Sequence, residues 1–313
     1  MPPRQITTQS FTTTGAESNV VFTIPNGHTC GFAEMENVVA TAGNGHMFVQ
    51  AGNSDVFRST ADHLAQRFTT VETGNQLTTE PGMRMVDSYA TVQKANAEFW
   101  NLNTAAPILC FGQGGPLEED IRHANLVPDA TAYSQLKFRQ MNNTATAETV
   151  MDSGGVFTLT TWKRKATVFS QTASADTQLD FLNLSKYEAL VIGSHDLTLS
   201  ASDLLEARLS PDGASFDSGA ADYFDHVSST QSTHDALKMS AQSRTASSFC
   251  AVLTGLNQVA QTQMDLMYDF RATIFRQKAG WRDLAQAEQA IRFLLAGANN
   301  MASGTIYVTG YEL

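Results

Sequence analysis

Charge is scarce in this chain. Only 16% of its 313 residues are Asp, Glu, Lys or Arg, against about 25% in an ordinary globular protein. The cations are scarcer still: 20 Lys and Arg stand against 31 Asp and Glu, a formal net charge of −11. So acidic a chain lacks the cationic surface on which counterion release depends, and a nucleic-acid partner is not expected. Attraction to an anionic membrane surface is disfavoured on the same ground. Long apolar runs are missing too. The densest, Phe293-Leu294-Leu295-Ala296, falls far short of the roughly eighteen residues of a membrane span, so no membrane insertion is expected. Cys30, Cys110 and Cys250 are too few, too widely spaced and too odd in number for a disulfide framework or a zinc knuckle. Their apolar neighbours mark them as small buried hydrophobes. Residues 1–15 are polar and Thr-rich, without the basic and then apolar segments of a secretory signal, so a soluble product of a reducing cytoplasm is expected.

What replaces charge is Thr, Ser, Asn and Gln, which implies a surface of hydroxyls and amides. At roughly 150 residues per domain the length suggests two domains. Helical patterning is sparse, and only Asp62–Phe68 and Gly280–Glu288 read as short helical decorations. Strand patterning runs throughout: short stretches rich in Val, Ile, Phe, Tyr and Thr alternate with Gly, Asn, Asp, Ser and Pro at intervals of about ten residues. Asn44-Gly45, between Val38–Thr41 and His46–Gln50, reads as a hairpin turn. In Leu205-Glu206-Ala207-Arg208-Leu209 the period of two assigns the apolar residues to a core and Glu206 and Arg208 to water.

A shift of 159 superimposes Phe22 on Phe181, Phe57 on Phe216, Ser59 on Ser218 and Ala61 on Ala220. Both halves then carry an apolar run with a cysteine (Cys110, Cys250) and a Phe-Arg pair (Phe138-Arg139, Phe270-Arg271). Each closes on Ser-Gly and a strand, ending at Trp162 and Tyr311. The expected fold is therefore all-β: two tandem antiparallel β-sandwich, jelly-roll-like domains, 1–165 and 166–313, related by internal duplication.

The most distinctive stretch is Leu205–Tyr223: an amphipathic strand, a Pro211-Asp212-Gly213 turn, a single Phe216 read as buried, a Ser218-Gly219 turn and Tyr223. Pro211 presets φ and Gly213 supplies a positive φ, so a tight reversal is favourable. Asp212 and Asp217 supply oxygens of the kind calcium takes, but their spacing matches no calcium loop, and the simpler reading is a turn former and a solvated residue. Arg208, Ser210, Asp212, Gly213, Phe216, Ser218, Gly219 and Tyr223 together resemble a strand–turn pattern of β-sandwich domains in tailed-bacteriophage virion proteins of the tail fibre, spike and decoration type. The closing stretch Ser303-Gly304-Thr305-Ile306-Tyr307-Val308-Thr309-Gly310-Tyr311 is similar to the last strand of the same domains. The departures are Ala214, where a second Gly is usual, and Thr309, where an aromatic often precedes the Gly. The resemblance covers 181–313; the first half shares it only through the repeat.

No catalytic constellation is legible. The seven histidines form no metal-ligand spacing, Gly112–Gly115 is followed by no Gly-Lys-Ser/Thr, and no G-x-S-x-G elbow occurs. Neither an enzyme nor a cofactor is expected, and no metal site is assigned. Stacking on sugars uses exposed aromatics, for which Trp100 and Trp281 are the candidates. The resemblance implies a non-enzymatic virion component, made in the host cytoplasm and associated with other virion proteins. Within that class a fibre or spike subunit attaching to a host-surface glycan is the first expectation, and a capsid or tail decoration with no ligand of its own the alternative. Weak sugar contacts gain from avidity, so a homo-oligomer is expected, a trimer if fibrous.

Overall fold

The computed structural model describes residues 5–39, 45–58, 63–68, 75–89, 93–116, 122–142, 144–227, 230–240, 243–259, 261–269 and 279–312. Every helix or strand among them is a β-strand. The chain divides into two compact units, Met1–Arg164 and Lys165–Leu313, each with its own apolar core.

The first unit runs through β1 (Ile6–Thr12), β2 (Asn19–Thr23), β3 (His28–Val38), β4 (Gly45–Asn53), β5 (Val56–Phe57), β6 (His63–Phe68), β7 (Asn75–Glu80), β8 (Met83–Tyr89), β9 (Gln93–Trp100), β10 (Ile108–Pro116), β11 (Arg122–Val127), β12 (Gln135–Asn142) and β13 (Val156–Lys163). They form an eight-stranded sheet in the order β1-β13-β3-β9-β10-β11-β6-β7 and a smaller sheet β2-β12-β4-β5, with β8 also on β4. Side chains alternate across each strand, so one face of each sheet supplies the core. Ala33, Ala97, Phe99, Phe157 and Leu159 from the large sheet meet Phe22, Val49, Leu136 and Phe138 from the small one. Phe138 packs edge-on to Phe22, with ring centroids 5.7 Å apart. Each buried phenyl of this kind contributes about 1.5–3 kcal/mol.

The second unit contains β14 (Ala166–Thr172), β15 (Gln178–Phe181), β16 (Ala189–Asp203), β17 (Leu205–Ser210), β18 (Tyr223–Val227), β19 (Thr230–His234), β20 (Leu237–Lys238), β21 (Arg244–Thr254), β22 (Gln261–Asp269), β23 (Ala279–Ala285), β24 (Ala290–Leu295) and β25 (Met301–Tyr311). Its sheets are β14-β25-β16-β21-β22-β23-β18-β19 and β15-β24-β17-β20. Taken strand by strand, this is the order of the first unit with β5 left out. Phe181 and Phe293 repeat the edge-on pair at 5.7 Å.

The repeat extends to bonds outside the sheets. Thr13 N–H to the Gly155 carbonyl is matched by Ala173 to Gly304, His28 to Pro25 by Tyr187 to Leu184, and Arg58 to Ala51 by Asp217 to Leu209. The first long strand of each unit carries a bulge at the same station, with Asn37 at φ 56° and Asp196 at φ 54°. Asn and Asp tolerate this left-handed conformation better than other non-glycine residues. The shift stays within one residue of 159 through Arg58 and Asp217, then falls to 155 at Phe138 and Phe293 (293 − 138) and to 149 at Gly155 and Gly304 (304 − 155). Connections in the second unit are shorter, which is why one constant shift loses the later strands.

Several expectations need correction. His63–Phe68 and Ala279–Ala285 are strands, not helices; β6 pairs with β11 and β7, β23 with β18 and β22, and that pairing overrides their helical propensity. The strands on either side of Asn44-Gly45 are not paired with each other: they belong to different sheets, β3 lying between β13 and β9 while β4 pairs with β12, β5 and β8. Asn44 itself lies outside the described residues. Cys110 on β10 and Cys250 on β21 are not counterparts, since β10 matches β22 and β21 matches β9. Phe138 is matched by Phe293; Phe270-Arg271 lies outside the described residues. Glu206 does not face water: it is 2% exposed and ion-paired to Lys238.

Candidate interaction face of the second unit

On β17, Leu205, Ala207 and Leu209 point into the core, so Glu206, Arg208 and Ser210 take the outer face of the small sheet. On β24 the same alternation leaves Arg292 and Leu294 outside. Strand register sets Asp180 of β15 directly beside Arg292, and Arg292 directly beside Arg208. Two guanidinium groups on neighbouring strands repel unless each is neutralised elsewhere. Here both are. Asp180 grips Arg292 in a bidentate fork, Nε to Oδ1 and Nη2 to Oδ2, each 2.7 Å. Asp235 accepts from Arg208 Nη2 at 2.7 Å through its carboxylate and from Nε at 3.2 Å through its carbonyl. The row Asp180–Arg292–Arg208–Asp235 thus crosses the sheet as minus, plus, plus, minus. All four side chains remain partly open to solvent.

The segment after β17 folds down onto this row. Asp212 Oδ1 accepts the N–H groups of Ala214 (2.8 Å) and Ser215 (2.7 Å) and the hydroxyl of Ser210 (2.8 Å). The bonds from Ser215, Ala214 and Ser210 hold its carboxyl far below the usual carboxylate range. Gly213 follows at φ 75°. Phe216 is not a core residue. It lies half-buried on the outer face, with the Arg292 guanidinium 4.0 Å from its ring centroid, so one cation is held by a carboxylate at its edge and an aromatic on its face. The Asp222 carboxylate accepts the Gly219 N–H at 2.5 Å, and the Asp222 N–H returns to the Gly219 carbonyl at 3.0 Å. A Cβ on Gly219 would stand 2.6 Å from that carboxylate.

Tyr223 ends the segment fully buried. Its hydroxyl accepts the Leu209 N–H at 2.8 Å and faces the Asp217 carbonyl at 3.4 Å. Burial, with the Glu288 and Asp222 carboxylates adding to it, pushes this phenol well above its ordinary range, so it stays neutral. Behind it the buried Arg282 pairs with Asp217 and Glu288. Burial raises the Glu288 pKa despite Arg282. Asp212 and Asp217 therefore have partners of their own: turn N–H groups for one, Arg282 for the other.

The first unit repeats the layout with different chemistry. Phe57 stands where Phe216 does and Lys137 where Arg292 does, the ammonium 5.5 Å from the ring. Lys137 pairs with Glu148 (3.0 Å), which also binds Arg139 (3.4 Å) and accepts from Ser18 (2.8 Å) and Asn19 (3.1 Å). Burial alone would raise the Glu148 pKa, but these bonds bring it below the usual range.

The two tryptophans fare differently. Trp100, at the end of β9, is 9% exposed, with the Arg164 guanidinium 6.0 Å from its ring. It offers no open face for a sugar, and the exposed role expected of it is corrected. Trp281 sits on β23 opposite Phe224 and Gln263; its side chain lies outside the described residues. Gly304, at φ 103°, faces the bulge on β16, where a Cβ would meet the Leu197 Cα at 2.7 Å. Arg208, Asp212, Gly213, Phe216, Gly219 and Tyr223 are thus gathered on one side of the second unit, while Gly304 belongs to the bulge. Sequence reasoning missed Asp180, Asp235, Arg282, Glu288 and Arg292. One cue was readable: a lone Arg292 inside Ala290-Ile291-Arg292-Phe293-Leu294-Leu295, at the polar phase of a period of two.

No protein-family model matches the chain, and no curated protein matches it significantly. Among solved structures it is similar to a conserved protein of unknown function from Pseudomonas aeruginosa PAO1, with 6% identity over 99% of this chain and 80% of that one, TM-score 0.19. A chain from the atomic structure of Sulfolobus Turreted Icosahedral Virus matches with 10% identity over 98% and 90%, TM-score 0.24. The galectin LEC-6 of Caenorhabditis elegans matches with 10% identity over 49% and 94%, TM-score 0.23. At such scores none of these likenesses carries an argument about function.

Proposed function

We propose that this chain is a non-enzymatic structural protein of a tailed-phage particle, a fibre or spike subunit whose paired sandwiches present polar loops to a glycan on the host surface. The observation that supports it is the Arg208–Tyr223 segment. The residues that carry the resemblance to phage β-sandwich domains are the same ones that build the Asp212 turn, the Phe216–Arg292 stack and the Tyr223 corner. The acidic groups of this face are held by guanidinium groups, the Lys238 ammonium or turn N–H groups, an arrangement suited to contact and not to proton transfer. Its partners are other virion proteins and further copies of itself, three of them in a fibre, and it needs no cofactor.

The burial of Trp100 favours a second reading, a capsid or tail decoration without a ligand, because it leaves Trp281 as the one remaining stacking candidate. Two measurements separate the readings. Antibody raised against the chain labels purified particles if it is a virion component; its absence from them overturns both. Purified protein then binds host cells, and Trp281→Ala abolishes the binding with folding intact, if it serves attachment. Particle labelling without cell binding leaves the decoration.

A further inference from the structure

The eight-stranded sheet of the first unit ends on β1, whose pairing among the described residues is with β13 on one side. The bonds flanking the strand fix which groups look outward. Lys163 N–H bonds the Gln5 carbonyl and Thr13 N–H bonds the Gly155 carbonyl. In an antiparallel ladder hydrogen-bonded pairs recur every second residue. Residues 7, 9 and 11 therefore turn their main-chain groups to β13, and Ile6, Thr8, Ser10 and Thr12 turn theirs to the open edge.

Open edges are normally blunted by charge, proline or a bulge. β1 has none of these: Ile6-Thr7-Thr8-Gln9-Ser10-Phe11-Thr12 is uncharged, and its register with β13 is unbroken. It also exposes apolar surface, Ile6 being 62% and Phe11 36% exposed. The corresponding edge of the second unit, β14, is likewise uncharged and unbroken but contributes no large exposed apolar side chain.

We propose that β1 is the contact between two copies of this chain, paired antiparallel about a two-fold axis at Gln9. That register sets Ile6 opposite Thr12 of the second copy and Thr8 opposite Ser10, so the outward main-chain groups exchange about eight hydrogen bonds. Gln9 faces Gln9 across a non-hydrogen-bonded pair. The side chains fit a copy of the same strand. Thr8 and Ser10 already meet Thr160 and Thr158 hydroxyl to hydroxyl at 3.1 Å each, and pairing continues those two rows across the axis. Charge argues for the same place: two chains of −11 repel, and an uncharged strand lets them approach without setting like charges together. This contact is independent of where the protein resides, and two-fold pairing is equally open to single chains and to rings.

Sedimentation of the full chain across a concentration range tests it, alongside Thr8→Pro and Thr8→Lys. Proline at position 8 sacrifices no bond to β13, so the fold is retained while the edge is blocked. The expected result is a self-associating pair that both variants dissociate at least tenfold, with Val56→Lys, on a side chain 76% exposed elsewhere, leaving it intact. Gln9→Cys adds a readout of register. Two such cysteines face each other closely enough for a disulfide, and the native Cys30, Cys110 and Cys250 are buried. Mild oxidation then gives a cross-linked dimer from Gln9→Cys and not from Ser10→Cys. A monomer at every concentration, association untouched by both Thr8 variants, or no cross-link from Gln9→Cys overturns the proposal.

Discussion

Arg58 and Asp217 hold the same station in the two units with opposite charge. Each donates its main-chain N–H to a carbonyl near the end of the matching strand of the small sheet, Ala51 on β4 or Leu209 on β17. Each side chain then finds a counter-ion, Asp129 just after β11 in one unit and Arg282 on β23 in the other. The Arg58 pair is partly open to water, whereas Arg282 is fully buried.

That difference in burial sets the cost of breaking each pair. Arg282→Met leaves Glu288 and Asp217 without their cation, and a buried unpaired carboxylate costs roughly 3–5 kcal/mol. Arg58→Met, at a partly solvated site, is expected to cost about 1 kcal/mol or less. Urea denaturation of both variants measures the contrast, and equal losses would refute it. Adding Glu288→Gln to Arg282→Met should restore part of the lost stability, because the substitution removes a charge that burial already disfavours.

Tyr223→Phe keeps the ring and deletes the hydroxyl, orphaning the Leu209 N–H in a fully buried position. The expected loss is about 1–3 kcal/mol, and the Leu209 amide should exchange with deuterium faster. An unchanged exchange rate would show that another acceptor takes over.

Gly304→Ala meets two obstacles at once, a φ of 103° and a Cβ placed 2.7 Å from the Leu197 Cα. A loss of about 2 kcal/mol or more is expected in a thermal melt.

Glu17 provides a pH dependence with a defined sign. Its carboxylate accepts the Thr14 hydroxyl at 2.7 Å and the Thr14 N–H at 2.9 Å, and these bonds, the hydroxyl first, lower its pKa to about 2 from an ordinary 4.5. A depressed carboxyl pKa contributes stability that is present above pH 4.5 and is lost as the pH falls from there toward 2. Glu17→Gln should abolish that component of acid sensitivity. A carboxyl titration by NMR near 4.5 in the folded protein would remove the basis for it.

Much of the fold was legible because sandwich strands follow a period of two and announce their ends with Gly, Asn and Pro. The repeat was visible at Phe22 and Phe181, where a single shift holds, and lost at Phe138, where shorter connections change it. The two segments read as helical are strands, since local propensity does not report the neighbours β6 and β23 pair with. The outer face was legible only in part. Asp212, Gly213 and Tyr223 are turn and corner residues with strong local signatures. Asp180 and Arg292 become partners only through strand register, which joins residues 112 positions apart, and Arg282 meets Glu288 across the connection from β23 to β24.

The charge reversal between Arg58 and Asp217 bears on how such a chain avoids tangling. Tandem copies with one strand order invite a segment of the first to thread into the second while both are half-formed. A strand end bearing Arg58, misplaced in that way, would set its guanidinium against Arg282. The opposite error would bring Asp217 to Asp129. Like charge against like charge penalises both exchanges, so divergence at this one station disfavours swapping segments between the halves.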